Sequence, residues 1–210
     1  MIKKINSIKQ IIVPAKKINY FVIFLLFLGV ILGAVFANII GFNDKTLVID
    51  KIKIFIDNIN TASINSITAF KNSISTNLIY VLVIFILGMT GIGILFNIFL
   101  LLAKSFILGF SLASFIITYS YKGIILSSLY LIFGQLLNII IISLLTIYGI
   151  MFTGKLFKLI FKNQGNHDIL NFFKNYLIIL VFSIIISFLS SLLEVFVFPA
   201  IIKIIIKIFI

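Results

Sequence analysis

The stretch LIYVLVIFILGMTGIGILFNIFLLLAKSFILGFSLASFIITYSY, residues Leu78–Tyr121, decides the fold, and it carries one formal charge, Lys104. A helix crosses a ~30 Å hydrocarbon core in about 20 residues, so this run is too long for one crossing and about right for two. A lysine held at mid-bilayer costs about 2.5–3.5 kcal/mol or more. At a turn its apolar stem lets the ammonium snorkel to the interface. The sequence therefore predicts spans over 78–100 and 105–121, with Lys104 at the turn between them.

Working outward, the apolar runs Tyr20–Ile40, Ile124–Phe152 and Asn175–Phe198 predict further spans over about 19–40, 123–152 and 175–198. The fourth run exceeds what the core requires, and tilt or a kink near Gly134 absorbs the excess. Residues 1–18 read as a basic cytoplasmic tail. The first run is long for a secretory signal peptide and no convincing A-x-A site follows it, so a retained anchor is expected. Pro199 is expected to end the fifth span. It leaves an interfacial tail over 199–210, where Lys203 and Lys207 lie one helical turn apart.

The composition agrees: 62% of the residues are hydrophobic, 10% are charged and the mean hydropathy is +1.33. A soluble domain of this size needs far more polar surface. The expected fold is an all-α integral membrane protein, a single domain of about five transmembrane helices. Cysteine is absent, which excludes disulfides and thiolate metal sites. All 17 basic residues are lysines, giving a net charge of +12. Many flank apolar runs, where they act as topology signals and lipid anchors rather than as a nucleic-acid footprint.

Lysine placement sets the orientation. With the N-terminus inside and the C-terminus outside, the basic tail, Lys104 and a basic loop over 153–174 face the cytoplasm. Lys45, Lys51, Lys53, Lys71, Lys122, Lys203 and Lys207 then lie outside with Asp44, Asp50, Asp57 and Glu194. That bias has the sign of the positive-inside rule. Segment 41–77 becomes extracytoplasmic. Apolar residues at Ile49, Ile52, Ile56 and Ile59, then at Ile64, Ile67, Phe70 and Ile74, mark it as amphipathic helix. Such a helix lies on the membrane or the bundle, or offers a docking surface to a partner.

Several motifs admit two readings. Gly29-x-x-x-Gly33, continued by Ala37, lets two helix backbones approach closely, within the bundle or across a homodimer. Gly88, Gly91 and Gly93 cluster inside the second predicted span, for close packing or for a broken helix lining a cavity. Gln135 and Asn138 share one face of the fourth span, and Asn97 also lies in an apolar run. Such amides hydrogen-bond across helices or bind a ligand. Glu194 is the only acid in a predicted span. It is read as an interfacial carboxylate near the outer end or as a functional group, with Lys122 or Lys203 as its partner. One histidine, His167, and scattered acids give no metal cluster and no His-based triad. No catalytic residue, metal or cofactor is expected.

Over roughly residues 17–199 the chain resembles stage II sporulation protein M of endospore-forming bacteria. The resemblance rests on the order of several landmarks. Gly29-Val30-Ile31-Leu32-Gly33-Ala34 stands in the first span, and Phe70-Lys71-Asn72-Ser73 leads to Asn77-Leu78. Leu87-Gly88 and Ile92-Gly93 come after these. Lys104-Ser105-Phe106-Ile107-Leu108-Gly109-Phe110 looks like the family's K-G-x-x-x-G-F, with Ser105 in place of a usual glycine. Next come Tyr121-Lys122-Gly123 and Gln135-x-x-Asn138, with Gly134 where a proline is common. Glu194 to Pro199 looks like the family's E-A-x-x-x-P ending, with Val195 where an alanine is common. The resemblance implies a membrane component of engulfment, in the mother-cell membrane at the sporulation septum. It implies a complex with stage II sporulation proteins D and P, which cut peptidoglycan, and no catalysis of its own. The expected function is a non-enzymatic scaffold. The alternative is a transporter subunit or small-molecule binder, with Gln135, Asn138 and Asn97 lining a cavity. An intramembrane enzyme would need several converging ionisable groups, and only Glu194 offers itself.

Overall fold

The computed structural model describes residues 16–61, 65–162 and 166–209. The basic tail before residue 16 lies outside the described residues, as do the side chains of Lys162, His167, Asp168 and Lys207. Among the described residues the chain forms six continuous helices, and five of them carry stretches long and apolar enough to cross a membrane. In hydrocarbon every backbone N–H and C=O must bond internally, which makes helix the available answer for apolar runs of this length.

The helices are α1 (Lys16–Ile39), α2 (Phe42–Asn60), α3 (Ser66–Gly88) and α4 (Gly93–Tyr119). Then α5 (Tyr121–Leu129) runs through a π-turn (Tyr130–Gln135) into α6 (Leu136–Lys162). Likewise α7 (Asn166–Leu192) runs through a second π-turn (Leu193–Val197) into α8 (Phe198–Phe209). The chain is a multi-pass membrane protein. Its outward face is apolar, with Phe27 64% and Ile31 60% exposed on α1 alone.

Three expectations from the sequence change. Lys104 does not mark a turn. The hairpin between the second and third spans lies at Met89–Ile92, so Gly88, Gly91 and Gly93 end and begin helices instead of interrupting one. Glycine is the poorest helix former after proline. Here Thr90 supplies local replacements: its hydroxyl donates to the Leu87 carbonyl (2.9 Å) and accepts from Gly93 N–H (3.1 Å). A Cβ at Gly93 would lie against that same carbonyl. Lys104 consequently sits near the middle of α4.

The second change is at the start of α3. The repeat Ile67, Phe70, Ile74 belongs to the same helix as the second span, because no breaker separates them. Asn65 caps this helix, accepting from the backbone N–H groups of Ile67 (3.1 Å) and Thr68 (3.2 Å). Third, Pro199 does not end the last span. Proline in a helix normally clashes with the carbonyl four residues earlier. Here that carbonyl belongs to Val195, inside the wider π-turn, and the helix continues into α8.

The first and third spans make the closest seam. Added Cβ atoms at Gly29 and Gly33 would meet α4 at Ser105, Phe106 and Phe110, and one at Gly109 would meet the Val30 backbone. The G-x-x-x-G stripe therefore packs within the bundle. Two apolar clusters complete the core. One gathers Val22, Val81, Ile84, Leu101, Leu145 and Tyr176. The other gathers Phe115, Leu126, Phe198 and Ile202 with Ile56 and Ile59 of α2. So α2 lies on the bundle through its apolar stripe.

At the α4–α5 turn, Ser120 has φ 52° and ψ −125°, a non-glycine residue at positive φ. Its Cβ opposes this conformation at a cost on the order of 1 kcal/mol. Ser120→Gly is expected to raise the thermal midpoint of the detergent-solubilised protein by a few degrees, consistent with about 1 kcal/mol. An unchanged or lower midpoint would show that the turn is not strained.

Candidate functional site

Between the two apolar clusters lies a polar layer. Along α3 the order is Ser73 and Asn77, then Val81. Along α5–α6 it is Leu126, then Tyr130, Gln135 and Asn138, then Ile141. Along α7–α8 it is Tyr176, then Ser191 and Glu194, then Phe198. Lys104 falls between Leu101 and Phe115 on α4. Because Gly29, half-way along α1, faces Leu102 and Ser105, this layer lies near the centre of the bilayer.

Glu194 is its hub. One carboxylate oxygen accepts from the Ser73 hydroxyl at 2.7 Å, and the other accepts from Gln135 Nε2 at 3.2 Å. Asn138 Nδ2 donates to Asn77 Oδ1 at 2.8 Å, and Asn77 Nδ2 donates to Ser191 Oγ at 3.0 Å. Asn77 also reaches Ser73 Oγ at 3.5 Å, which joins the two halves of the network. The Tyr130 hydroxyl lies beside Ser111 and Gln135. Inside hydrocarbon each of these polar groups would be costly alone, and each gains from meeting another.

Both Gln135 and Glu194 stand on π-turns, and the two π-turns pack against each other. Each adds a residue to its helical turn and so changes the direction of its side chains. Such bulges recur at functional sites. The re-aimed Gln135 and Glu194 line a cavity of about 420 Å³ shared with Ser73, Asn77 and Lys104. Lys104 Nζ stands 5.1 Å from the Tyr80 ring centroid and within electrostatic reach of Glu194. Among the described residues its ammonium has no hydrogen-bond acceptor. A second cavity of about 500 Å³ runs between α2 and α4, lined largely by Leu47, Val48, Ile52, Phe110 and Phe115. The two cavities share Phe55, Tyr130 and Glu194.

The structure thus brings Lys104, Gln135, Asn138 and Glu194 to one layer, with Pro199 at the cavity wall. The cation sharing the cavity with Glu194 is Lys104, in place of Lys122 or Lys203, and Glu194 lies deep instead of near the outer end. Asn97 stands apart: it donates to the Ile84 carbonyl at 3.0 Å, packed with Gly88, Gly149 and Tyr176 in the other half of the bundle. Gly123 is a packing position at the start of α5, where a Cβ would meet the Phe115 carbonyl. Lys122 precedes it in that first turn.

Sequence reading missed Tyr130 and Ser191, and carried Ser73 and Asn77 only as landmarks of the resemblance. Ser73 and Asn77 sit four apart, one polar stripe on a helix face, and that spacing was the available signal. Glu194 is the only carboxylate lining the cavity. Its neighbours there are amides and hydroxyls, with Lys104 the one cation among the described lining residues.

The sequence model of one protein family, described as stage II sporulation protein M, matches residues 22–199. No curated protein and no solved structure matches the chain.

Proposed function

Given that this chain belongs to the stage II sporulation protein M family, and is therefore a sporulation membrane protein, we propose that it is a non-catalytic scaffold for septal peptidoglycan remodelling. In this reading it sits in the mother-cell membrane with its N-terminus in the cytoplasm. It holds the hydrolases, stage II sporulation proteins D and P, at the septum during engulfment. The observation that carries the reading is α2. Ile56 and Ile59 bury its apolar stripe against Phe115, Leu126, Phe198 and Ile202, while Asp50, Lys53 and Asp57 stay exposed. A rigidly docked helix with both charge signs on its free face suits recognition of a protein partner, where charge complementarity sets specificity.

The orientation rests on lysines at the bundle end formed by the start of α1, the Met89–Ile92 turn and the α6–α7 junction. Lys16, Lys17, Lys155, Lys158 and Lys174 gather there without an acid among the described side chains. With Lys104 moved into the span, the positive-inside bias keeps its sign.

The test is co-purification from sporulating cells. Asp50→Ala/Lys53→Ala is expected to cut hydrolase recovery about tenfold, the effect of ~1.4 kcal/mol at an interface, with membrane levels unchanged. Undiminished recovery would rule out this face of α2 as the docking surface. Deletion of the gene is expected to block engulfment, and normal spores would overturn the scaffold role.

The cavity around Gln135 and Glu194 favours a second reading, ligand binding by the same bundle. Such pockets typically span about 300–1,000 Å³ and combine apolar walls with a few convergent polar groups.

A further inference from the structure

Taking the ligand-binding reading as its basis, we propose that the cavity holds the headgroup of a zwitterionic aminophospholipid. Its ammonium would lie on Glu194, its phosphate on Lys104, and an acyl chain in the groove between α2 and α4.

Three observations lead there. First, the cavity contains one carboxylate and one ammonium, and neither is saturated by the protein. Glu194 accepts one hydrogen bond on each oxygen, although a carboxylate has about four acceptor sites. Among the described residues Lys104 meets the face of Tyr80 and lies within electrostatic reach of Glu194, but has no hydrogen-bond acceptor, although an ammonium has three donors. A ligand carrying both charge signs completes both groups, whereas a simple anion or cation completes one. Ser73, Asn77 and Gln135 add neutral donors and acceptors around the same space.

Second, the polar cavity continues into a more apolar one, whose walls also carry Lys51, Ser111 and Ser114. Phe55, Tyr130 and Glu194 belong to both walls, so a headgroup at Glu194 leads directly to Leu47, Val48, Ile52 and Phe110. A soluble zwitterion has no use for that groove, whereas an acyl chain matches its apolar walls. Third, two π-turns re-aim Gln135 and Glu194 into the cavity.

The experiment is native mass spectrometry of the full chain, released from detergent after equilibration with phosphatidylethanolamine, phosphatidylglycerol or phosphatidylcholine. The wild-type protein is expected to retain phosphatidylethanolamine at least about fivefold over the other two. Glu194→Gln should erase that preference. Lys104→Met should lower retention of phosphatidylethanolamine and phosphatidylglycerol alike. Leu47→Trp, which fills the groove and leaves both charges in place, should lower retention of all three lipids. The exposed variant Lys158→Gln should change nothing. Soluble O-phosphoethanolamine in excess should displace the lipid weakly.

Equal retention of the three lipids by the wild-type chain overturns the headgroup assignment, and that measurement depends on no variant folding. Full displacement by O-phosphoethanolamine makes the ligand a soluble zwitterion and overturns the lipid. Retention of no lipid and no O-phosphoethanolamine removes the ligand-binding reading itself.

Discussion

Replacing Gly33 with leucine is expected to leave no folded bundle. A Cβ at this position would sit on the Phe106 carbonyl and 2.8 Å from the Phe110 nitrogen, both backbone atoms of α4. Backbone cannot swing aside as a side-chain tip can. Neither can α4 retreat locally, because the adjoining contacts are equally close. A Cβ at Gly29 would stand 2.6 Å from Ser105 Cβ, and Gly109 abuts Val30. Overpacking a core typically costs about 1–3 kcal/mol. A leucine driven between two backbones belongs at or beyond the upper end, a large share of the roughly 5–15 kcal/mol that holds a typical domain. Size-exclusion chromatography and thermal unfolding in detergent should show an aggregated or unfolded Gly33→Leu. Gly33→Ala should fall between it and the native chain, and the lipid-facing control Leu32→Ala, 52% exposed, should stay close to native. If the stripe instead served a homodimer, Gly33→Leu would give a folded monomer, and that outcome would refute the intramolecular seam.

The second large effect is expected at Glu194. Glu194→Ala removes the acceptor of Ser73 and Gln135 and leaves Lys104 near mid-bilayer without its neighbouring countercharge. Leaving buried hydrogen-bonding groups without their partner typically costs about 1–3 kcal/mol, and more where a charge is involved. Lys104→Met leaves the carboxylate uncompensated and should also destabilise. The informative variant is Lys104→Met/Glu194→Gln, which has no charge in the layer and retains the amide and hydroxyl geometry. It should be more stable than the sum of the single changes allows, with a coupling of about 1–3 kcal/mol. Thermal unfolding of the four proteins gives that number. Strict additivity would mean that the two charges do not interact.

The helices that cross the membrane were legible because a bilayer is a severe solvent. Runs such as Tyr20–Ile40 and Asn175–Phe198 admit few alternatives once every backbone polar group must bond internally. The α2 stripe was legible too: Ile52, Ile56 and Ile59 recur at helical spacing and pack where that spacing points. Boundaries were harder. A lone mid-bilayer lysine is costly, which favours a turn at Lys104 only so long as the lysine has no partner. Its compensation comes from Glu194, on another helix and far along the chain, together with a cavity that no local pattern announces. The glycines at 88, 91 and 93 were the better turn signal, with Thr90 beside them to bond the freed backbone groups.

By itself, then, the sequence determined the environment, the helical class, the number of crossings and the residues too polar to face lipid. These depend on local composition and periodicity, which act within one or two helical turns. Only the tertiary structure decided that Glu194, Lys104, Gln135, Asn138 and Asn77 converge, that the last helix passes Pro199, and that π-turns aim Gln135 and Glu194 into one cavity. An extra residue in a helical turn costs little locally and leaves no periodic trace. It persists because contacts on neighbouring helices favour the side-chain directions it creates, and those contacts exist only once the helices are packed.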